Sequence, residues 1–346
     1  MRAIVLVGGF GTRLRPLTLS IPKPLLPVAN VRLLEHVLAG LGGAGVQEAV
    51  LAIGFKPEPF LEAFPDNVCA GVALQYAVEP QPMDTAGAIG FAARYAGIDD
   101  TFIVVNGDIL TDIDYRALVA VHRNKGAEGT IRLITVEDPS QFGVVETDAD
   151  GWVQRFVEKP QPHESDSRNV NAGTYVLEPS VLSRIPENQP LSIERVVFPQ
   201  MASDHALCAT VMNGYWIDTG RPQTYLQANL DLIDGTRDRI LASVGPKAHI
   251  GTGAVITHSV IGDHADIGDG AIVVDSVILP GAHVGARARV EESLVMGTIG
   301  DGASVSRVVV GADGVVSTGE TLVDCSIPDP ASSTSSSSDS STRVKD

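Results

Sequence analysis

The first 34 residues carry Arg2, Arg13, Arg15, Lys23 and Arg32 and no acidic side chain, in a chain of formal charge −17. Two of those cations stand in GGFGTRLRP, a glycine-rich stretch directly behind the apolar run AIVLV. Glycine allows close backbone approach and leaves N–H groups free to wrap a phosphate chain, which the cations behind it neutralise. A compact phosphorylated ligand is therefore the expected partner. Further along, more charged residues follow apolar runs: Asp108 in NGD after TFIVV, Glu158 and Lys159 in EKP after GWVQRFV, and Asp218 in IDTG after GYW.

Two common phosphate motifs are excluded. A dinucleotide fingerprint needs a third glycine where Leu14 stands, and a Walker A loop ends in GK[ST], whereas Lys23 lies too far downstream. What stands here, GGFGTRLRPLT (Gly8 to Thr18) and then PKPLLPV (Pro22 to Val28), resembles the signature of the sugar-phosphate nucleotidylyltransferases, GGxGTRLxPLT followed by PKPxxPV. The resemblance runs through roughly residues 1 to 325. It implies transfer of a nucleotidyl group from a nucleoside triphosphate to a sugar 1-phosphate, with pyrophosphate released. By the same resemblance Arg13 and Lys23 hold the β and γ phosphates, and Leu6, Gly8, Gly9, Gly11 and Thr12 line the nucleotide. Asp108 and Asp218 are the magnesium ligands. Gly143 in FGVVE lies near the sugar, Glu158 takes a sugar hydroxyl, Lys159 takes its phosphate, and Asn171 and Gly173 in NAGTYV line it. The implied catalytic set is Arg13, Lys23, Asp108, Lys159 and Asp218. Since the second phosphate pKa is about 6, the attacking oxygen is already anionic near neutrality. Positioning and charge neutralisation then carry the reaction without a strong base.

The nucleobase is expected against EPQPMDTAGAIGFA, where Glu79, Thr85, Ala86 and Gly87 are the candidate contacts. TAGAI, Thr85 to Ile89, resembles mannose-1-phosphate guanylyltransferases, which makes GTP and mannose 1-phosphate the first choice of substrates and GDP-mannose the product. The family often shows Leu-Gly before Thr-Ala-Gly, and Met83 and Asp84 stand here instead. Asp84 either accepts from guanine N1–H and N2–H₂ or caps the helix beginning at Thr85. Three other readings remain: a glucose-1-phosphate thymidylyl- or uridylyl-transferase on the same scaffold, a non-catalytic sugar-nucleotide-binding regulatory subunit, and an acyltransferase using one of His249, His258, His264 or His283.

Continuous apolar runs alternate with helical stretches near Leu33 to Leu41 and Thr85 to Tyr95, the pattern of an α/β layered domain whose parallel strands are covered on both faces. The resemblance makes this a Rossmann-like, mixed-sheet nucleotidyltransferase fold over residues 1–240. In such sheets ligands lie beyond the carboxyl ends of the strands, where the polar residues above are found. From about Gly245 a six-residue beat sets in, IGTGAV, IGDHAD, IGDGAI, VGARAR, the mark of a left-handed parallel β-helix of hexapeptide repeats over residues 245–325. Breaks in the beat at HSVIG, DSVILPG and EESLVMG are expected to be insertions between coils. DLIDGTRDR, Asp231 to Arg239, reads as the end of a linking helix, and residues 327–346 as a disordered Ser-rich tail.

The acidic balance argues against a nucleic-acid or anionic membrane surface. Cys69, Cys208 and Cys325 are widely spaced and without CxxC, so neither a disulfide framework nor a zinc site is expected. No apolar run approaches a membrane span, which makes a cytoplasmic enzyme the expectation. Association into a homo-oligomer is expected from the β-helix, whose end coils and flat faces leave aliphatic surface to cover.

Overall fold

The strands of the first unit are β1 (Arg2–Leu6), β2 (Glu48–Ile53), β3 (Val68–Cys69), β4 (Val72–Val78) and β5 (Phe102–Asn106), then β6 (Gly129–Thr135), β7 (Gly143–Thr147), β8 (Val153–Glu158), β9 (Asn169–Leu177) and β10 (Leu207–Val211); β1, β2 and β5 are apolar runs buried on both faces and need no polar alternation. The computed structural model describes residues 1–328 except 55, 162, 238 and 239. Of the expected Ser-rich tail, 329–346 lies outside the described residues. The chain divides into two compact units, one of Met1–Gly9 and Leu33–Ile217, the other of Phe10–Arg32 and the chain from Asp218 on.

In the first unit the strands form one ten-stranded sheet, ordered β8-β7-β9-β5-β1-β2-β4-β3, with β6 pairing both β9 and β10. β5, β1, β2 and β4 run parallel. The chain leaves β1 for β2 and β4 on one side and returns to β5 on the other, so the order reverses between β1 and β5, the kind of switch point beside which open α/β sheets bind ligands. β3, β7, β8 and β9 pair antiparallel to their neighbours, which makes the sheet mixed. The β7–β8 connection is a tight turn, with Asp148 and Trp152 hydrogen-bonded across it, far shorter than a parallel crossover needs. Both faces are covered: Ala3, Ile4 and Val5 of β1 are all fully buried. The helices are α1 (Leu33–Gly43), α2 (Glu58–Ala63), α3 (Asp84–Tyr95), α4 (Tyr115–Lys125) and α5 (Phe198–Ser203). α3 and α5 bury Ile89, Ala92, Phe198 and Met201 in one core with Ile4, Val104 and Tyr175.

The second unit holds three short 3₁₀ turns over Thr12–Leu14, Leu17–Leu19 and Lys23–Leu25, then α6 (Pro222–Asp231) and the β-helix. α6 stops at Asp231, so Leu232 to Arg237 of that stretch lie beyond the helix, and Asp238 and Arg239 lie outside the described residues. Asp234 instead bonds the Thr236 N–H at 2.8 Å beside Gly235 at φ 88°, the chemistry of a turn. Beyond it, three parallel five-stranded sheets form the sides of a left-handed parallel β-helix. The breaks in the hexapeptide beat are not insertions. Val260–Ile261, Val277–Ile278 and Leu294–Val295 are successive strands of the third side. Each is preceded by a corner residue with positive φ, His258, Asp275 and Glu292, which turns the chain in fewer residues. Equivalent residues accordingly recur at seventeen rather than eighteen, as Ser259, Ser276 and their neighbours do. Those serines form a buried ladder. The Ser276 hydroxyl donates to Val274 C=O at 2.6 Å and accepts from Ser293 N–H at 3.0 Å, and the Ser259 hydroxyl accepts from Ser276 N–H at 3.1 Å.

Candidate functional site

Leu6 ends β1 in register with Asn106 of β5, and Gly107 N–H donates to the Leu6 carbonyl at 2.9 Å. The glycine turn thus leaves β1 alongside the turn that carries Asp108. Gly8 packs against Gly54, the residue after β2, and a Cβ on Gly8 would stand 3.5 Å from Gly54 N and 3.6 Å from the Glu79 carboxylate. Glu79 follows β4 and is only 9% exposed. Its Oε2 accepts from Met83 N–H at 2.9 Å. Burial raises its carboxyl above the ordinary range, against the lowering effect of that hydrogen bond. Gly9 has φ 121° and open space about it.

At the start of α3, Asp84 has φ 55°, a left-handed conformation that glycine adopts freely and Asp or Asn tolerate better than other residues. The backbone thus explains why Gly and Asp are alternatives at this position. The Asp84 carboxylate accepts from Thr85 N–H at 2.8 Å, so it bonds the helix start. The Ala86 and Gly87 amides donate to Leu191 C=O at 2.8 and 3.1 Å, and the Thr85 hydroxyl donates to Glu194 at 2.7 Å. A Cβ on Gly87 would lie 2.6 Å from Gln189 C=O, so glycine is needed there for the strap 189–191 to pass.

Asp108, Gly143, Glu158, Lys159, Asn171 and Gly173 surround the ends of β5, β7, β8 and β9. The register of β9 against β6 shifts between Asn171 and Tyr175, so Ala172, Gly173 and Thr174 leave that ladder directly after Asn171. Its side-chain amide donates to the Tyr175 hydroxyl at 2.9 Å and its oxygen accepts from Gly173 N–H at 2.9 Å. Gly173 has φ 68°, and a Cβ there would fall 2.5 Å from Ile109 Cδ1 and 2.7 Å from the Asn106 amide, so only glycine lets β9 close on β5. Glu158 is paired with Gly143, where a Cβ would come within 2.8 Å of its Oε2. Lys159 turns away at φ 51° with its N–H on Phe142 C=O at 3.0 Å. Burial first, then the negative Glu194, raises the Glu158 carboxyl, while Lys159 and Arg195 lower it. Trp216 donates its indole N–H to Ala172 C=O at 3.0 Å and meets Phe142 edge-on at 5.6 Å. It buttresses the bulge.

In the second unit, Gly11 at φ 55° begins the turn Thr12–Leu14, and the Thr18 hydroxyl donates to its carbonyl at 2.8 Å. Lys23 is buried, with its ammonium 3.5 Å from Asp218 Oδ1. That oxygen also accepts from Gly220 N–H at 2.8 Å. A Cβ on Gly220 would stand 2.7 Å from Arg13 NH2 and 2.8 Å from the same Asp218 oxygen. Arg13, Lys23 and Asp218 thus form one cluster, two cations to one carboxylate. Asp218 offers hard oxygen donors, as Mg²⁺ requires.

Gly54, Glu194 and Gly220 were not singled out from sequence. Gly54 was legible, standing directly behind a strand run as Asp108 does. Glu194 and Gly220 follow no such pattern, and only the packing of the strap and of Arg13 brings them in. The histidines of the β-helix are tied to aspartates: His249 and His283 to Asp266 at 2.7 and 3.1 Å, His258 to Asp275 at 2.6 Å, and His264 lies 3.6 Å from Asp263. His122 is buried, with its ring nitrogens 2.8 Å from the Thr130 hydroxyl and 2.9 Å from the Glu178 carboxylate.

Residues 2–235 match the family model described as Nucleotidyl transferase, and residues 241–343 match the one described as GMPPB C-terminal domain. The chain is 42% identical over 258 residues to the mannose-1-phosphate guanylyltransferase catalytic subunit beta of Drosophila pseudoobscura pseudoobscura, covering 73% of this chain and 67% of that protein. It is 43% identical over 230 residues to the mannose-1-phosphate guanyltransferase of Schizosaccharomyces pombe, covering 65% and 62%. Among solved structures, HddC from Yersinia pseudotuberculosis, complexed with GMP-PN, is similar with a TM-score of 0.56 at 27% identity, over 66% of this chain and 97% of that one.

Proposed function

Because this chain belongs to the nucleotidyl transferase family, we propose that it transfers a guanylyl group from GTP to mannose 1-phosphate, forming GDP-mannose and releasing pyrophosphate. The observation that carries the reading is the gathering of the glycine turn, Glu79, Asp108, Glu158, Lys159 and the Gly173 bulge at the carboxyl ends of one sheet, about its switch point. Guanine carries N–H donors on its Watson–Crick edge, and the Glu79 carboxylate, held over Gly8 and Gly54, is the acceptor we assign to it. Arg13 and Lys23 neutralise the β and γ phosphates. Lys159 holds the phosphate of the sugar, Glu158 accepts from a sugar hydroxyl, and Asn171 with Gly173 shapes the wall. The sugar phosphate oxygen attacks the α-phosphorus in line with the departing pyrophosphate, and these cations offset the repulsion of the two anions. Asp108 and Asp218 are proposed ligands of Mg²⁺, which when bound neutralises developing phosphate charge. The Lys23 ammonium lies 3.5 Å from Asp218 Oδ1, which ties the proposed phosphate cation to the proposed metal carboxylate.

A cytoplasmic homo-oligomer belongs to the same proposal. Cys69, Cys208 and Cys325 stand outside any disulfide, and no helix among the described residues is long and apolar enough to cross a membrane. Coils near both ends of the β-helix expose Val255, Val315 and Val323, apolar surface that association would cover.

The test is pyrophosphate release by the purified full chain with Mg²⁺, each common nucleoside triphosphate and a panel of sugar 1-phosphates. GTP with mannose 1-phosphate is expected to give the highest kcat/KM. Turnover confined to dTTP or UTP would replace the guanylyl reading, and sugar-nucleotide binding without any turnover would favour a regulatory subunit.

A further inference from the structure

Tyr175 has no part in the reaction as derived so far. It is the first residue of β9 back in register with β6 after the bulge, opposite Ile131, and it pairs with Val104 of β5 on its other side. Its side chain is fully buried. Phe198 of α5 meets the ring edge-on with centroids 5.1 Å apart, and Phe156 of β8, two residues before Glu158, packs on Phe198 at 5.9 Å. A phenol fixed by strands on both sides and by an aromatic neighbour has one place for its oxygen. That oxygen accepts from Asn171 Nδ2 at 2.9 Å, four residues back across the bulge. Asn171 Oδ1 accepts from Gly173 N–H at 2.9 Å. A backbone N–H can only donate, so the Gly173 bond decides which end of the Asn171 side chain is oxygen, and the phenol receives the other end.

We propose that Tyr175 is a positioning residue for the sugar 1-phosphate: its hydroxyl, together with Gly173 N–H, pins the Asn171 amide in the orientation that meets a sugar hydroxyl. The inference rests on the reading of Asn171 as part of the sugar wall. The two bonds use one of the amide's two N–H groups and one of its two oxygen lone pairs. One donor and one acceptor are left outside them, on the same planar group. A sugar hydroxyl donates and accepts, and an amide already held in place serves it without a free side chain having to be ordered first. In a Tyr175→Phe chain the ring keeps its packing, but Asn171 Nδ2 faces an apolar edge. A donor shut off from any acceptor costs more than the Gly173 bond is worth, so the amide turns away and gives up that bond as well. The sugar then binds only the fraction of molecules with the amide in place, which raises its KM and leaves that of GTP alone.

The experiment is a double-mutant cycle in the full chain with GTP and Mg²⁺: wild type, Tyr175→Phe, Asn171→Ala and the pair. KM for mannose 1-phosphate, KM for GTP, kcat and the melting temperature are measured for each, at about pH 8, where the substrate phosphate is a dianion. Tyr175→Phe is expected to raise KM for mannose 1-phosphate about five- to tenfold, with KM for GTP within about twofold. Asn171→Ala should raise the same KM by at least as much. Adding Tyr175→Phe to it should change nothing further, since no amide is left to hold. A Tyr175→Phe chain that melts lower but keeps both KM values, or raises both together, shows a role in the fold alone and overturns the inference. So does an effect of Tyr175→Phe that persists undiminished beside Asn171→Ala. If Tyr175→Phe does not fold, Phe198→Leu, which frees the ring and keeps the hydroxyl, takes its place in the cycle under the same expectations. An unchanged sugar KM in Asn171→Ala overturns the reading of the wall, and the inference with it. Wild type that uses another sugar 1-phosphate overturns the proposed substrate, and the cycle is then read on that sugar. Absence of turnover on any of them overturns reaction and inference together.

Discussion

Glu79 shows how a proposed site residue acts on stability with a definite sign. Burial holds its carboxyl above the ordinary range, so the folded state prefers it protonated. The stability this contributes is present below the unfolded pKa and is lost as pH rises through the raised folded value. At neutral pH the ionised carboxylate is therefore a cost to the fold. Glu79→Gln, which can still accept from Met83 N–H, is expected to melt higher than wild type at pH 7. The gap should close towards pH 4, as read by thermal melts across that range. The same variant is expected to lose about tenfold or more in kcat/KM for GTP, the scale of one charge-assisted hydrogen bond. Asp108→Asn and Asp218→Asn test the proposed metal carboxylates. Each should cut kcat about a hundredfold or more with circular dichroism unchanged, and a fully active Asp218→Asn would remove that residue from the site.

Two elements owe their form to packing that local propensity does not announce. The first turn of α3 has its Ala86 and Gly87 amides on the Leu191 carbonyl and its Thr85 hydroxyl on Glu194, so a helix start that reads as a ligand loop is also a joint with the strap behind it. The third side of the β-helix is built on the serine ladder. Ser276→Ala would leave the buried Ser293 N–H without the acceptor it has at 3.0 Å. The expected cost is about 1–3 kcal/mol, measured by urea unfolding of the full chain, whereas a change at the half-buried corner residue Asp275 should cost less.

At the scale of the whole molecule, the segment Phe10–Arg32, which carries Arg13 and Lys23, belongs to the same compact unit as the β-helix. The Tyr225 hydroxyl of α6 donates to Pro27 C=O, Ala29 N–H donates to Asn229 at 2.8 Å, and Asn30 donates to Ile261 C=O of the first coil at 3.3 Å. Pro16 lies against Gly311, where a Cβ would stand 2.7 Å from its ring. The β-helix is thus a support, within its own unit, for the segment that carries Arg13 and Lys23. A chain ending at residue 240 is expected to keep the strand content of the first unit by circular dichroism but to lose about a hundredfold or more in kcat/KM for GTP, because the cations lose their fixed placement. Unchanged activity in that truncation would show that α6 alone holds the segment.

Much of this was legible in the sequence. The apolar runs and the polar residues behind them mark the sheet and the end of it that faces ligand, because burial on both faces requires uninterrupted Val, Ile, Leu and Ala and so pushes charged groups to the strand ends. The hexapeptide beat marks the β-helix for a similar reason, since each coil turns an aliphatic residue inward at a set interval. Tertiary structure alone decided which strands run antiparallel, that the apparent breaks in the beat are a third side turned by positive-φ corners, and that Glu194 and Gly220 stand beside the motif residues. Those outcomes depend on contacts between segments remote in the chain. Hydrophobic period and local turn chemistry report a residue's own surroundings along the backbone, and they carry no trace of which distant surface will be brought against it.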